Sequence, residues 1–154
     1  YNKLIPVVFG GGVFSSSDMS HYIYDIGTDG VQVATRFVAT KECDADDAFK
    51  NAYINSKKED IGIIKSPVGM PGRAILNSYI KKTALSRDPV TNCFRCIHKC
   101  NPAETPYCLS KALFNAANGD LDNALIFCGE NAYKINEITT VKDVIENLLN
   151  YSIS

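Results

Sequence analysis

The sequence predicts an α/β fold that begins with a parallel βαβ unit and continues as a mainly helical region. Three observations support this prediction. An apolar run, Leu4–Phe9, is short enough to be a strand buried on both faces. A serine cluster with Asp18 then favours a helix start, and Gly27 is placed to end that helix in a left-handed conformation. A second strand-like segment, Gly30–Val33, follows, and the crossover between the two strands should be right-handed.

Composition limits the class of protein. The 154 residues are 45% hydrophobic and 21% charged, which is typical of a globular domain with its own core. The net charge is −1 without a basic block, so no nucleic-acid partner is expected. The first apolar run is too short to span a bilayer, so no membrane partner is expected either. Six cysteines without a secretory signal favour a reducing, cytoplasmic location.

From residue 41 onward the patterns predict helices with two short apolar segments between them. The helical segments have capping residues at their starts and apolar residues at helical spacing. The predicted elements are a helix over Ala45–Lys57 capped by Asp44, a strand over Ile61–Lys65, a turn-rich loop over Ser66–Gly72, a helix from Arg73 to Lys82, a helix from Pro106 to Asn118 capped by Thr105, an apolar segment over Leu125–Cys128, and a helix over Val141–Asn150 capped by Thr140.

The ends of the two first strands are a candidate anion site. Gly10–Gly12 follow the first strand, and glycines let backbone N–H groups approach an anion closely. Ala34 and Thr35 follow the second strand, and neighbouring parallel strands end at the same edge of a sheet. We therefore predict that the backbone N–H groups of Gly11, Gly12, Ala34 and Thr35, with the Thr35 hydroxyl, surround one anion. Gln32 and Val33 would flank this site, and Arg36 either faces it or pairs with an acid. The alternative is a tight turn whose glycines serve packing alone.

These strand-end motifs resemble those of a known family. The segments IPVVFGGG and GTDGVQVATRFVATKEC, and the later SPVGMPGRAI and TPYCLSKALFNAANGDLDNALIFCG, look like the C-terminal part of the nitronate monooxygenase family. That family includes the flavin-dependent enoyl-acyl-carrier-protein reductases of type II. The resemblance covers roughly Ile5 to Leu149. Family members usually have glycine where this chain has Ala34, which keeps the backbone N–H but leaves the loop less room.

The resemblance implies a fold, a cofactor and partners. The chain would be the C-terminal part of a (β/α)8 TIM barrel: residues 1–40 would supply the last two βα units, and residues 41–154 a helical extension of the same domain. Family enzymes are about twice this length and bind FMN, which NAD(P)H or the substrate reduces. The expected partners are the missing N-terminal half of the barrel or another chain, a small-molecule substrate, and a second copy in a homo-oligomer. No catalytic residue is assigned, because the family's histidine would lie upstream of Tyr1.

Four cysteines form a second candidate site. Cys93, Cys96, Cys100 and Cys108 have the spacing C-x2-C-x3-C-x7-C, and four thiolates suit zinc or a [4Fe–4S] cluster. The first three resemble the cluster loop of iron–sulfur flavoproteins related to 2,4-dienoyl-CoA reductase. The alternative is a set of reduced cysteines in an ordered loop.

Three hypotheses about function follow from these patterns. The first is part of an FMN-dependent oxidoreductase of the nitronate monooxygenase or enoyl-reductase type. The second is a metal-binding electron-transfer or structural module without catalysis of its own. The third is a half-barrel that works only when it pairs with another chain.

Overall fold

The computed structural model describes residues 4–98 and 100–150. The predicted barrel region, residues 1–40, is therefore described from residue 4 onward. The predicted extension, residues 41–154, is described up to residue 150. Within the described ranges, no helix is long and apolar enough to cross a membrane. The elements, in chain order, are β1 (Val8–Gly10), α1 (Ser16–Ser20) with a π-helical turn (His21–Asp25), β2 (Gly30–Gln32), α2 (Thr35–Val38), α3 (Asp47–Ile54), β3 (Ile61–Lys65), β4 (Pro71–Ile75), α4 (Ser78–Leu85), α5 (Leu109–Ala117) and α6 (Val141–Leu149).

The predicted parallel βαβ unit is confirmed. β1 and β2 pair in parallel, with Phe9 opposite Val31. The helix between them starts behind Ser15, as predicted, and Gly27 has the left-handed φ of 81° expected of a helix-ending glycine. One expectation for the first strand is wrong. Val8 is 61% exposed and the residues before it are also exposed, because no described layer packs on this part of the strand.

An antiparallel hairpin replaces the predicted helix start at Arg73. β3 and β4 pair in antiparallel register, with Ile63 opposite Arg73. Ala74 is fully buried and also bridges Phe127, so this stretch is held as a strand from both sides. The helix begins later, at Ser78, where the Asn77 side chain accepts a hydrogen bond from the Ile80 amide at 2.9 Å. Tertiary pairing has overridden the local helical pattern here.

The core lies around the apolar segment that the sequence predicted near residues 125–128. Leu125 is fully buried and Ile126 is 1% exposed. The Ile75 amide donates to the Ile126 carbonyl at 2.9 Å, and the Cys128 amide donates to the Arg73 carbonyl at 3.0 Å. Tyr53, on α3, packs into the same core and is 2% exposed. The segment that leads to Gly129 is therefore fixed by both the hairpin and α3.

Caps were predicted for three of the four α-helices that the structure describes after residue 41, and they are correct for one and displaced for two. α6 starts behind Thr140, as predicted, with a reciprocal capping box to Asp143. α3 is capped by Asp46 rather than Asp44. α5 starts at Leu109 rather than Pro106, because the buried Thr105 hydroxyl bonds the Tyr107 carbonyl instead of capping a helix. The displacement places Cys108 at the N-cap rather than in the first turn.

Packing of α6 also departs from the prediction in part. Val144 is fully buried and Leu148 is 6% exposed, as expected of residues on the inner stripe. Ile145 and Leu149, which were expected to face inward, are 43% and 57% exposed. The helix therefore buries a narrow stripe, not a broad face, against the βαβ unit.

Candidate functional site

The two strand-end loops line one cavity of about 280 Å³. All six residues that the sequence predicted for the anion site contribute to its walls. So does the segment that follows the buried apolar strand, at residues 129–132. The cavity is lined by Gly10, Gly11, Gly12, Val13, Phe14, Gln32, Val33, Ala34, Thr35, Arg36, Gly129, Asn131 and Ala132.

The glycines in this cavity have conformations that side chains rarely adopt. Gly11 has φ 105° and Gly12 has φ 75°. A Cβ atom built on either residue would meet no atom within 4 Å, so both face open space. The glycines are thus required by the backbone conformation, and they leave room for a group to approach the main chain.

A third segment, absent from the sequence-based site, joins the two loops. The Asn131 side-chain amide donates to the Gly12 carbonyl at 2.6 Å, across 119 residues of sequence. The Gly129 amide donates to the Thr35 hydroxyl oxygen at 2.8 Å, across 94 residues. The only sequence signal was the position of Gly129 directly after the buried apolar segment, which by itself indicates a turn.

Arg36 brings the positive charge to this cavity. Its Nη1 donates to the Phe14 carbonyl at 2.5 Å, and its guanidinium carbon lies 4.5 Å from the centre of the Phe14 ring. It forms no ion pair within the part of the chain that the structure describes. Burial lowers the pKa of Arg36, yet a guanidinium stays charged at neutral pH. Of the two roles left open by the sequence, pairing with an acid is not found among the described residues, and Arg36 lines the candidate cavity.

The start of α1, next to the cavity wall at Phe14, is capped from within the helix. The Asp18 carboxylate accepts hydrogen bonds from the amides of Phe14 and Ser15, at 3.0 and 2.8 Å. Asp18 thus forms a capping box with Ser15, whose hydroxyl accepts a hydrogen bond from the Asp18 amide at 3.2 Å. The residues that line the cavity belong to the loops, to Arg36 and to the segment at residues 129–132, and none belongs to α1.

The four clustered cysteines do not form the predicted metal site. Cys93, Cys96, Cys100 and Cys108 all line one small cavity of about 20 Å³, together with apolar side chains. Partial burial, and then the nearby thiols of the other three cysteines, raise the pKa of the Cys100 thiol. Across residues 4–98 and 100–150, however, no group of three or more His, Cys, Asp or Glu side chains could hold a metal ion. Zinc and iron–sulfur ligation are therefore not supported, although the thiols do gather.

Neither histidine lies at the strand-end cavity. His21 pairs with the exposed Asp25 carboxylate at 2.8 Å, on the π-helical turn that follows α1. His98 is exposed on the cysteine loop. Within the described chain, no general base is therefore identified beside the candidate anion site.

A larger cavity of about 760 Å³ lies between the β3–β4 hairpin and the loop before α5. Ile64 and Ile80 form apolar walls, while Lys65 and Lys81 add positive charge. Its volume falls in the range typical of sites for small molecules. The turn-rich Ser66–Gly72 loop forms part of its wall, although Met70 of this loop is 70% exposed and does not line the cavity.

Comparison with known proteins identifies the same family from sequence and from structure. The sequence profile of nitronate monooxygenase matches residues 2–150. A probable nitronate monooxygenase of Staphylococcus aureus (strain Newman) is 33% identical over 78 residues, covering 51% of this chain and 22% of that protein. FabK from Thermotoga maritima superposes with a TM-score of 0.74 at 26% identity, covering 96% of this chain and 44% of its own.

A third comparison concerns the fold alone. Nitroalkane oxidase from Streptomyces ansochromogenes superposes with a TM-score of 0.67 at 20% identity, covering 94% of this chain and 38% of its own. These structural neighbours are TIM barrels, and the present α/β chain superposes on part of each. The chain thus spans about a fifth of the curated relative and less than half of each solved structure.

Proposed function

Because the chain belongs to the nitronate monooxygenase family, a family of oxidoreductases, we propose that it holds the phosphate of FMN in an FMN-dependent enzyme. The observation that carries the proposal is the single cavity shared by the loops after β1 and β2. The phosphate-binding site of many (β/α)8 barrels lies at two such consecutive strand ends. The activity would be of the nitronate monooxygenase or enoyl-reductase type.

The residues of the cavity fit a phosphate ester. Gly11 and Gly12 leave the main chain open to close approach, and Arg36 supplies a charge that no acidic residue of the described chain neutralises. The Thr35 hydroxyl accepts from Gly129, which leaves its own proton for donation. Hydrogen bonds from such groups to an anion are about twice as strong as neutral ones. When bound, FMN would supply hydride and electron transfer between NAD(P)H or a substrate and the acceptor.

The cavity is too small for the whole cofactor. Its volume of about 280 Å³ lies just below the range of about 300–1,000 Å³ for complete small-molecule pockets. The isoalloxazine ring would need walls from elsewhere. We infer that these come from further barrel strands, on the same polypeptide or on another chain, so that this chain forms the C-terminal part of the barrel. The described part of the chain supports that assignment, because β1 pairs there with β2 alone and its other edge is available to a further strand.

The larger cavity beside the β3–β4 hairpin is the proposed binding site for the substrate. Its apolar walls suit a small organic molecule, and its two lysines outnumber the one acidic residue of the lining, Glu104, which favours a ligand with a negative charge. The identity of that molecule is a matter for a substrate screen.

Flavin binding by the complete protein that contains these residues tests the proposal. Wild-type protein should show flavin absorption after gel filtration and should bind FMN more tightly than riboflavin, which lacks the phosphate. Thr35→Val removes the hydroxyl at similar volume and should weaken FMN binding about tenfold, the effect of one charge-assisted hydrogen bond. Thr91→Val, on the exposed cysteine loop, is the matched control and should bind normally. Equal affinity for FMN and riboflavin in the wild type would refute a phosphate site.

A further inference from the structure

We propose that Gly129 and Asn131 are positioning residues that hold the two strand-end loops in the arrangement that selects a phosphorylated flavin. This inference rests on the proposed function and adds to it a third segment, 129–131, which neither the motifs nor the family assignment supplied. The segment lies far from both loops in sequence and reaches each by one hydrogen bond.

The contact to the first loop prevents a peptide flip. Gly12 has φ 75°, and a glycine can exchange such a conformation for others at little steric cost. A flip of the Gly12–Val13 peptide would reverse the directions of its carbonyl and amide, because the peptide unit is planar and trans. The Asn131 side-chain amide holds the Gly12 carbonyl at 2.6 Å and fixes the orientation of that peptide. Without it, a carbonyl oxygen could turn into the cavity and repel a phosphate.

The contact to the second loop makes the Thr35 hydroxyl an acceptor toward the backbone and leaves its proton free to donate elsewhere. The Gly129 amide donates to the Thr35 oxygen at 2.8 Å. A hydroxyl that already accepts one hydrogen bond still has its own proton to donate. Among the described residues no acceptor for that proton is found, and Thr35 lines the cavity. The backbone of Gly129 therefore makes Thr35 a donor toward an anion.

Gly129 itself is constrained by this contact. A Cβ atom built at this position would lie 3.1 Å from the Thr35 hydroxyl oxygen, closer than ordinary van der Waals contact. Its φ is not left-handed, so alanine would be free of backbone strain. Alanine at this position therefore disturbs the Thr35 contact rather than the local fold.

The segment is rigid enough to act as a clamp. Directly before it, the Phe127 carbonyl accepts from the buried Tyr53 hydroxyl at 2.6 Å, and the Cys128 amide donates to the Arg73 carbonyl at 3.0 Å. These bonds tie the clamp to α3 and to the hairpin, both of which lie outside the cavity. The position of the loops is thus set by the core of the protein.

The test compares FMN with riboflavin in equilibrium fluorescence titrations of the complete protein, freed of bound flavin. Asn131→Asp replaces the donor by a carboxylate at equal size and should weaken FMN binding by about tenfold or more. Asn131→Ala removes the donor without adding charge and should weaken it by about threefold to tenfold. Riboflavin affinity should change less than about twofold in both variants, because riboflavin has no phosphate to misplace. Asn92→Asp, on the exposed cysteine loop, adds the same charge and should leave both affinities unchanged.

Gly129→Ala provides an independent variant and should also lower FMN affinity selectively. Its control is Gly30→Ala, where a Cβ atom would meet Val8 Cγ2 at an ordinary 3.7 Å. The unfolding midpoint of each variant is also measured, because a variant that folds normally and still loses FMN affinity has displaced loops rather than a damaged fold. If the variants lose FMN and riboflavin affinity equally, or lose neither, the positioning role is overturned. The proposed function still stands in that case, provided that the wild type prefers FMN to riboflavin. A wild type that binds no flavin would instead refute the proposed function, and the clamp with it.

Discussion

The hydroxyl of Tyr53 is expected to stabilise the core segment that carries the clamp. Tyr53 is 2% exposed, and its hydroxyl donates to the Phe127 carbonyl at 2.6 Å. Tyr53→Phe keeps the ring and its edge-on contact with Phe49 but leaves the carbonyl without this donor. An unsatisfied buried polar group costs about 1–3 kcal/mol, so the free energy of unfolding should fall by about that amount.

Urea denaturation followed by circular dichroism measures this loss. With a slope of about 2 kcal/mol per molar urea, a loss of about 2 kcal/mol moves the midpoint down by about 1 M while the slope is unchanged. Tyr133→Phe is the matched control, because the Tyr133 hydroxyl has no hydrogen-bond partner among the described residues. The control should stay within about 0.5 kcal/mol of the wild type. A Tyr53→Phe midpoint equal to that of the control would refute the argument that this hydroxyl anchors the segment.

The same residue makes a prediction about alkaline pH. Burial, and then the nearby thiols of Cys128 and Cys43, raise the pKa of Tyr53. Because the folded pKa exceeds the unfolded value of about 10, the unfolded chain loses its proton first. The stability should therefore fall as the pH rises above about 10, and the fall should be smaller in Tyr53→Phe.

Three further outcomes can be checked with simple measurements. Burial raises the pKa of Cys128 to about 11, so at pH 8 iodoacetamide should modify the exposed Cys93 and Cys96 well before Cys128. Mass spectrometry follows the modification of each cysteine, and equal rates would contradict the burial of Cys128. Hydrogen bonds from the side chains of Thr140 and Thr139 lower the pKa of Asp143, so the stability that this cap contributes should be lost as the pH falls below about 4. Thr140→Ala should lower the melting temperature at pH 7, and its melting temperature should fall less on acidification than that of the wild type. The same fall on acidification in the variant and the wild type would argue against the capping box. The 154-residue chain expressed alone should bind FMN poorly, and micromolar retention of FMN by a monomer after gel filtration would contradict the need for further barrel walls.

The sequence by itself determined the local structure of the βαβ unit. Ser15 and Asp18 cap α1 through atoms within three residues of each other, and Gly27 adopts the left-handed φ that its position required. Thr140 caps α6 in the same way. These features depend on interactions over a few residues, so spacing and residue type are enough to predict them.

The cysteine loop shows where spacing is insufficient. The spacing predicted a metal site, but the four cysteines only line one small cavity, and no group of described residues there could hold a metal ion. Ligation depends on side-chain directions in a loop with little regular structure, and the spacing of residues does not determine those directions. The shift of Cys108 from the first turn of α5 to its N-cap is one such change.

The tertiary structure decided what completes the candidate site. The sequence placed Gly11, Gly12, Ala34 and Thr35 at neighbouring strand ends because parallel pairing follows from the βαβ pattern. It gave no sign that Asn131 would reach Gly12 across 119 residues, nor that Arg73 would continue a strand. Both depend on the packing of the buried segment around Ile126 against the hairpin and α3. Such long-range contacts are fixed by the burial and pairing of the whole core, which a local pattern does not contain.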